Sequence, residues 1–331
     1  MLSRLRRPAQ VFFLLLALIF MALLVWSQWD ELRTFSWHVR PVWLIPSVLA
    51  LGVSWLFEIV IWRRLVRLLG GHIGFSMGFR IWFVSAIMRY IPGNVWQPLG
   101  MTVLAHRQGL RPEATVASVA LYQVVNLLSA ALIAAAYFAL TANRGLLEDI
   151  LPSSVHLRSL PLLLALPVIV FFLRPQWLIH LLNWGLRLIK RPPLAVALTP
   201  GALLVAVALE MAAWLLLGLS FAALTMSLTD WSLTGLGGKA IHLVAGYPIA
   251  YAVGYLSFLT PSGLAVREGV MVLLAGPVVG AGVITVAALA MRIWLILCEF
   301  VAAGLSLLTW PGRLPLGRGG IGAMGASAGD G

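Results

Sequence analysis

The sequence predicts an all-α polytopic membrane protein with about six transmembrane spans and two re-entrant helical hairpins of opposite orientation. Three observations support this fold class. The 331 residues are 61% hydrophobic and 10% charged, far from the composition of soluble domains, which are roughly half apolar and a quarter charged. Apolar runs of about 20 residues, long enough to cross the hydrocarbon core, recur along the chain. Two further apolar segments are interrupted near their centres by Pro and Gly.

The positions of Lys and Arg predict the topology, because cytoplasmic loops carry the excess of positive charge. Five basic clusters separate the apolar runs, and placing all five on one side puts both termini in the cytoplasm. The expected location is therefore the cytoplasmic (inner) membrane, as a multi-pass protein. The first span follows a basic N-terminal head, like a signal peptide. No small-residue cleavage site follows the apolar stretch, which favours a retained signal anchor. The predicted spans are 11–27, 41–62, 113–141, 159–173, 200–225 and 282–308.

Two apolar segments, 75–105 and 232–279, do not fit this topology as spans. Each has the same type of flanking sequence at both ends, so we expect each to enter and leave on one side. Proline removes a backbone donor and glycine permits a chain reversal, which predicts a helix, a break and a second helix. Non-helical backbone at membrane depth needs protein or water around it, so the breaks should lie in the interior. The breaks are Pro92 and Gly93 in the first segment, and Pro261, Ser262 and Gly263 in the second.

The order span, hairpin, span occurs twice and predicts an inverted repeat. Pro92 and Pro261 are 169 residues apart, and the same offset carries Glu113 onto Gly282, where the last span of each half begins. In secondary transporters such a repeat places the substrate site near the bilayer midplane.

The predicted organisation is a single integral membrane domain at 1–316, with repeats at 41–141 and 200–308. The glycine-rich tail, 317–331, is expected to be disordered because it has little that could pack. The basic segment 174–193 has Trp and Leu at helical spacing, which predicts an interfacial helix on the inner leaflet.

Charged side chains inside membrane segments are costly and therefore indicate function. The fixed fork of donors on arginine suits a phosphate, and backbone amides at a helix start beside each break would add to the attraction. Carboxylates in the same segments would balance charge or couple a proton. The predicted substrate-binding residues are Arg89, Pro92, Gly93, Asn94, Pro261, Ser262, Gly263, Arg267, Glu268 and Arg292, and the predicted charge-balancing or proton-coupling residues are Glu58, Glu210 and Glu299.

Purely structural roles for these charges stay open at this point. Arg267 could pair with the adjacent Glu268, and Arg292 could pair with Glu299 on the same helix face. Three polar residues on the third span are weaker candidates, because polar residues in membrane helices often do no more than hydrogen-bond a neighbouring helix. These weaker candidates are Tyr122, Gln123 and Asn126.

Several functional classes find no support. The net charge of +12 comes from short basic clusters between apolar runs, so nucleic acid is not expected as a partner. No histidine spacing suggests a metal site, and the single Cys298 has no partner thiol, so no cofactor is predicted. The run "GLGGKA" at 235–240 lacks the spacing of a phosphate-binding loop, so no nucleotide is expected.

Three stretches, "YIPGNVWQPLGMTVLAHRQG", "LTPSGLAVREGVMVLLAG" and "AALAMRIWLILCEFVAAGLSLL", resemble the flippase-like transmembrane domain of lysylphosphatidylglycerol synthases and its stand-alone relatives. The chain departs from the family pattern at Ser262 and Ala265, where glycines are usual. The resemblance implies movement of lipids or lipid-linked precursors between leaflets, but not lysyl transfer, because no aminoacyl-transferase domain follows Leu308. The residues that match the family are Pro92, Gly93, Pro261, Gly263, Arg267, Glu268 and Arg292.

The predicted function is a lipid translocase, transporter-like rather than enzymatic, that moves an anionic phospholipid, a glycolipid or a polyprenyl-linked precursor, either passively or coupled to an ion. Membrane lipids are the expected partners. One alternative is a scaffold for a lipid or glycan biosynthetic enzyme, which would use the small-residue segment 276–280 for contacts. Another is a membrane-embedded lipid-modifying transferase, which would use the same carboxylates as acid or base.

Overall fold

The computed structural model describes residues 39–90, 96–141, 160–188, 190–256 and 266–311, together with Trp26, Trp29 and Arg33. Within these residues every regular element is helical, which confirms the all-α class. The α-helices in this part of the chain are α1 (Leu44–Leu68, preceded by the 3-10 turn Pro41–Trp43), α2 (Phe75–Ala86, followed by the 3-10 turn Ile87–Tyr90), α3 (Trp96–His106), α4 (Pro112–Leu140), α5 (Leu160–Leu173), α6 (Gln176–Leu188), α7 (Pro200–Ser227), α8 (Leu233–Val244), α9 (Gly246–Leu256), α10 (Val266–Val279) and α11 (Ala281–Leu308).

Four helices, α1, α4, α7 and α11, are long and apolar enough to cross a membrane. They coincide with four of the predicted spans. The largest difference in their bounds is at the end of α1, which continues six residues beyond the predicted limit, from 62 to Leu68. The added residues include Arg63, Arg64 and Arg67. Arginines lower the hydropathy there, but they are good helix formers and are favoured at a helix C-terminus, so the helix continues where the apolar run ends.

The predicted span count of six is not reproduced in full. Segment 11–27 lies almost wholly outside the described residues. The predicted span 159–173 corresponds to α5, and the residues directly before Leu160 lie outside the described part of the chain. Helix α5 turns by 89° into α6, and only this bent pair together has the length and hydropathy of a span. The described residues therefore contain four candidate spans, or five if the bent pair is one.

Helix α6 is the helix expected within 174–193. Trp177, Leu181, Trp184 and Leu188 are all exposed along it, and they follow one another at helical spacing, so α6 presents an apolar face outward. On its other side Leu178 and Ile179 belong to the hydrophobic core.

Helices α1 and α7, the first spans of the two predicted repeats, share the most extensive helix–helix interface in the described residues. The Ser47 hydroxyl donates to the backbone oxygen of Ser220 over 2.9 Å, and the Ser54 hydroxyl donates to that of Ala213 over 2.8 Å. The partner number falls as the α1 number rises, so the helices are antiparallel. Opposite direction of equivalent spans is what an inverted repeat requires.

Each interrupted segment contains short helices that pack against each other on either side of the break. Helix α2 packs on α3, with Gly100 against Ser85 and Met88, and residues 91–95 between them in the sequence lie outside the described residues. Helix α9 packs on α10, with Gly246 near Leu274, and residues 257–265 between them in the sequence are likewise not described. The second segment also contains α8, which meets α9 at Ala245, so it has three helices rather than two arms.

The small-residue segment 276–280 has a role inside the fold. Gly276 is buried, and its carbonyl accepts a 2.7 Å hydrogen bond from the amide of Gly280. Gly280 has φ +104 at the start of α11, a conformation that residues with a Cβ rarely adopt. The tight turn between α10 and α11 therefore explains Gly280, whereas a Cβ at Gly276 would meet its neighbours at ordinary contact distances of 3.4 Å or more.

Candidate functional site

A two-lobed cavity lies between the short helices of the two interrupted segments and the long helices α4 and α11. The arginine lobe is bordered by Arg89, Arg267 and Arg292 and is partly open to the surface of the protein. The glutamate lobe is bordered by Glu58 and by aromatic side chains. Residues common to both lobes make the cavity continuous; these are Arg89, Gln97, Gln123, Tyr251, Tyr255, Leu295 and Glu299.

Arg89 stands where the two lobes meet. It belongs to the 3-10 turn after α2, three residues before Pro92 of the first break. Its guanidinium donates to Glu299 Oε1 over 2.6 Å and to Gln97 Oε1 over 3.1 Å, and it approaches the Tyr251 hydroxyl at 3.5 Å. The Glu299 side chain is 2% exposed, so this ion pair is nearly dry on the carboxylate side.

Arg292 on α11 pairs with Glu268 on α10, with 2.9 Å between Arg292 Nη1 and Glu268 Oε1. The carboxylate partner of Arg292 is therefore 24 residues away rather than seven residues further along its own helix. Glu268 in turn bonds across the helix interface instead of to its neighbour Arg267. Both structural pairings left open by the sequence thus give way to pairs between different helices in this part of the chain.

Arg267, the second residue of α10, differs from the other two arginines of the cavity. It is 8% exposed, and its guanidinium carbon lies 3.8 Å from the centre of the Tyr251 ring. Within the described residues no carboxylate is at ion-pair distance from it, and its Nε has no hydrogen-bond partner. The buried hydroxyl of Tyr247 lies close to the same guanidinium. A buried cation with unused donors beside a cavity is suited to an anionic ligand.

The charges around the arginine lobe do not cancel. Glu299 neutralises Arg89, and Glu268 neutralises Arg292. The positive charge of Arg267 is not balanced by either ion pair. The start of α10 adds to this charge, because the first backbone amides of a helix have no partner in the helix and carry a partial positive charge. The arginine lobe can therefore bind a phosphate or another anion without first breaking an ion pair.

The glutamate lobe has the opposite character. Glu58 of α1 borders it, together with Trp55, Trp82 and Trp214. Behind it lies Glu210 of α7, which is 1% exposed. Two residues of α4 reach Glu210 Oε1: Asn126 Nδ2 donates over 2.7 Å and the Tyr122 hydroxyl lies at 3.5 Å.

The structure brings together all seven charged candidates predicted from the sequence. Arg89, Arg267, Arg292 and Glu299 border the arginine lobe, Glu268 bonds to one of these arginines, Glu58 borders the glutamate lobe and Glu210 lies behind it. The weaker candidates Tyr122, Gln123 and Asn126 also border the cavity. The remaining candidates, Pro92, Gly93, Asn94, Pro261, Ser262 and Gly263, lie outside the described residues.

Sequence reasoning missed the tyrosines of α9 and the glutamine of α3. Three of the six tyrosines of the chain lie on α9 at four-residue spacing: Tyr247, Tyr251 and Tyr255. That spacing puts them on one helix face just before the second break, which was a usable signal. Gln97 gave no such signal, because only the packing of α2 on α3 brings it to Arg89.

The family profile described as Lysylphosphatidylglycerol synthase TM region matches residues 12–302 of the chain. The chain belongs to this family. The match covers both interrupted segments and every residue that borders the cavity. No curated protein matches the chain.

As a lysylphosphatidylglycerol synthase TM region, the chain is a membrane-embedded, multi-pass protein with a function related to membrane lipids. The long apolar helices agree with this assignment.

Proposed function

We propose that the protein is a flippase-like lipid translocase that moves lipids with an anionic, phosphate-bearing headgroup between the two leaflets. The observation that carries the proposal is the convergence of Arg89 and Arg267 on one cavity. The two arginines come from different interrupted segments, one just before its break and the other just after. Phosphate is common to anionic phospholipids, phosphate-linked glycolipids and polyprenyl-linked precursors, so the proposed substrate class is defined by that group.

The second step of the proposal concerns access. The segment α2–α3 enters the membrane from the cytoplasmic side and returns to it, and the segment α8–α10 does the same from the opposite side. Both termini then lie in the cytoplasm, and the membrane is the inner one. This arrangement is supported by the antiparallel packing of α1 and α7, and it would allow the cavity to be reached from either leaflet.

The third step concerns energy. A charged group costs about 2.5 kcal/mol to well over 10 kcal/mol at the bilayer centre, depending on the scale used. A headgroup held by Arg267 inside the cavity avoids most of this cost, while its acyl chains stay among lipids beside the apolar outer faces of the helices. Lowering this barrier is sufficient for passive movement, and no nucleotide is required.

The proposal is tested with purified protein in liposomes that contain one of three fluorescent lipids: phosphatidylglycerol, phosphatidylethanolamine or a polyprenyl phosphate. Dithionite added outside destroys the fluorescence of the outer leaflet, so continued loss reports movement from the inner leaflet. We expect the wild type to move at least one phosphate-bearing anionic lipid much faster than protein-free liposomes. Equal rates for all three lipids with and without protein would contradict the proposal.

The matched variants are Arg267→Gln and Arg187→Gln, because Arg187 is an exposed arginine on α6, away from the cavity. A hydrogen bond to a charged group contributes about 1.5–3 kcal/mol, so Arg267→Gln should slow movement about 10- to 150-fold. Arg187→Gln should leave the rate unchanged. Equal rates for Arg267→Gln and the wild type would mean that the arginine lobe does not hold the headgroup.

A further inference from the structure

The two carboxylates of the first spans face each other across the interface of α1 and α7. The hydroxyl of Ser54 bonds to the backbone oxygen of Ala213. Glu58 follows Ser54 by four residues, and Glu210 precedes Ala213 by three residues on the antiparallel helix, so both lie about one turn from this contact in the same direction. They are close enough for their charges to interact.

Donors reach only one oxygen of Glu210. Asn126 and Tyr122, both on α4, approach Oε1, while the buried Oε2 has no hydrogen-bond partner in the described residues. The positive charge of Arg89 and the negative charge of Glu299 both act on Glu58. These two side chains also form an ion pair with each other at 2.6 Å.

Other titratable groups on the packed helices have partners elsewhere. From α9, Tyr251 and Tyr255 border the same lobe, and Tyr251 stacks on Arg267. From α8, His242 bonds to Tyr137, and the amine of Lys239 lies over the Trp231 ring. In the described part of the chain no cation is therefore at ion-pair distance from Glu58 or Glu210.

Two neighbouring carboxylates, one of them almost fully buried, cannot both stay ionised in a low-dielectric interior without a cation. A proton resolves this with the least rearrangement, because Glu210 Oε2 is free to carry it. A sodium ion would need several oxygen ligands, whereas the groups that face Oε1 are donors. We propose that Glu210 and Glu58 form a proton-binding site that couples the lipid movement proposed above to a proton gradient, an inference that rests on that function.

The sign of the coupling follows from the cavity. An anionic headgroup in the arginine lobe brings negative charge towards Glu58 and so favours protonation of the carboxylate pair. Linkage is reciprocal, so protonation in turn strengthens binding of the anion. The proton enters from water on the acidic side through Glu58, resides on Glu210 and leaves to the alkaline side. One proton and a headgroup with one negative charge carry no net charge, so the pH difference drives the movement and the membrane potential does not.

The test uses the same liposomes with the anionic lipid that the wild type moves fastest. A pH difference of one unit is imposed, and potassium with valinomycin holds the membrane potential at zero. We expect the lipid to accumulate in the leaflet that faces the alkaline side, up to roughly tenfold for one-to-one coupling. Reversing the pH difference should reverse the accumulation, and a sodium gradient at equal pH should have no effect.

The possible results separate the coupling from the translocation. Lipid that moves but stays evenly distributed under the pH difference, or that follows the sodium gradient, would overturn the proton site and leave the translocase standing. No movement of any lipid would overturn both. These measurements need only the wild type.

Substitution assigns the site. Glu210→Gln keeps the shape of the side chain but cannot take up the proton, so the accumulation should disappear; Glu58→Gln should give the same result if Glu210→Gln fails to fold. The control is Glu113→Gln, which removes a carboxylate at the start of α4, outside the cavity. It should retain the accumulation. Wild-type accumulation in both cavity variants would mean that the proton binds elsewhere.

Discussion

At the scale of single residues, Tyr251 organises the cavity. Its ring lies under the guanidinium of Arg267, its hydroxyl is 3.5 Å from Arg89, and its edge packs on Trp214. One side chain of α9 therefore contacts two arginines that come from different interrupted segments. The aromatic face stabilises a cation without neutralising it, so Arg267 keeps its charge for a ligand.

Replacing Tyr251 should separate the role of its ring from that of its hydroxyl. Tyr251→Leu removes the stacking on Arg267, which contributes about 0.5–2 kcal/mol, so lipid movement should slow about 2- to 30-fold. Tyr251→Phe keeps the ring and loses only the long contact with Arg89, so its rate should stay close to that of the wild type. The dithionite assay measures both variants. Equal slowing in Tyr251→Phe would show that the hydroxyl, and not the ring, is what matters.

At the scale of helices, α7 and the end of α8 approach each other closely at Gly218. A Cβ on Gly218 would overlap the backbone oxygen of Val244. Only backbone atoms meet there, so no flexible side chain can move aside. This contact fixes where α8 ends and therefore where α9, with its tyrosines, begins.

Gly218→Ala should destabilise the protein strongly. Overpacking a well-packed site costs about 1–3 kcal/mol or more, and here the backbone itself would have to shift. The matched control is Gly304→Ala on α11, where a Cβ meets nothing within 4 Å, so the gain in helix propensity should leave stability unchanged or raised by up to about 1 kcal/mol. Thermal unfolding in detergent compares the two. A Gly218→Ala variant as stable as the wild type would mean that α7 and α8 are further apart.

Hydropathy predicted the long helices well but the short ones less well. The four long helices were predictable because each buries one face in protein and presents the other to lipid, so apolar residues continue along its whole length. The bounds of the predicted span 159–173 agree with those of α5 where the structure describes it, Leu160–Leu173. The length of an apolar run does not report the bend of 89° into α6.

The charged residues of the site were predictable because each is costly inside a membrane, but their partners were not. Arg292 pairs with Glu268, and Arg89 pairs with Glu299 210 positions away, through contacts between helices that are distant in the chain. Sequence spacing shows only which residues share a face of one helix, so it favoured pairs that the described part of the chain does not contain. Gln97 was missed for the same reason.

At the scale of the whole molecule, the proposed function depends on two segments that enter from opposite sides. The offset of 169 that relates Glu113 to Gly282 also relates the observed starts of α4 and α11, Pro112 and Ala281. Together with the antiparallel pair α1 and α7, this offset supports the proposal that the two interrupted segments occupy equivalent positions in two halves of an inverted repeat. A cavity between two such segments can open to either leaflet without either segment crossing the membrane.

This topology predicts which side of the membrane each end of a segment faces. In a Cys298→Ala background, four single cysteines probe exposed positions at the ends of the two segments: Ser76→Cys, Gln108→Cys, Thr234→Cys and Ala281→Cys. A membrane-impermeant thiol reagent should label the first two only in inside-out vesicles and the last two only in right-side-out vesicles.

The control for this labelling is detergent solubilisation, after which all four cysteines should react, because each position is exposed on the protein surface. If Ser76→Cys and Gln108→Cys reacted from opposite sides, α2 and α3 would cross the membrane as one broken span. Arg89 would then lie on a continuous path rather than near the tip of a hairpin. Labelling of both pairs from the same side would instead remove the inversion between the halves, and with it the reason to expect access to the cavity from both leaflets.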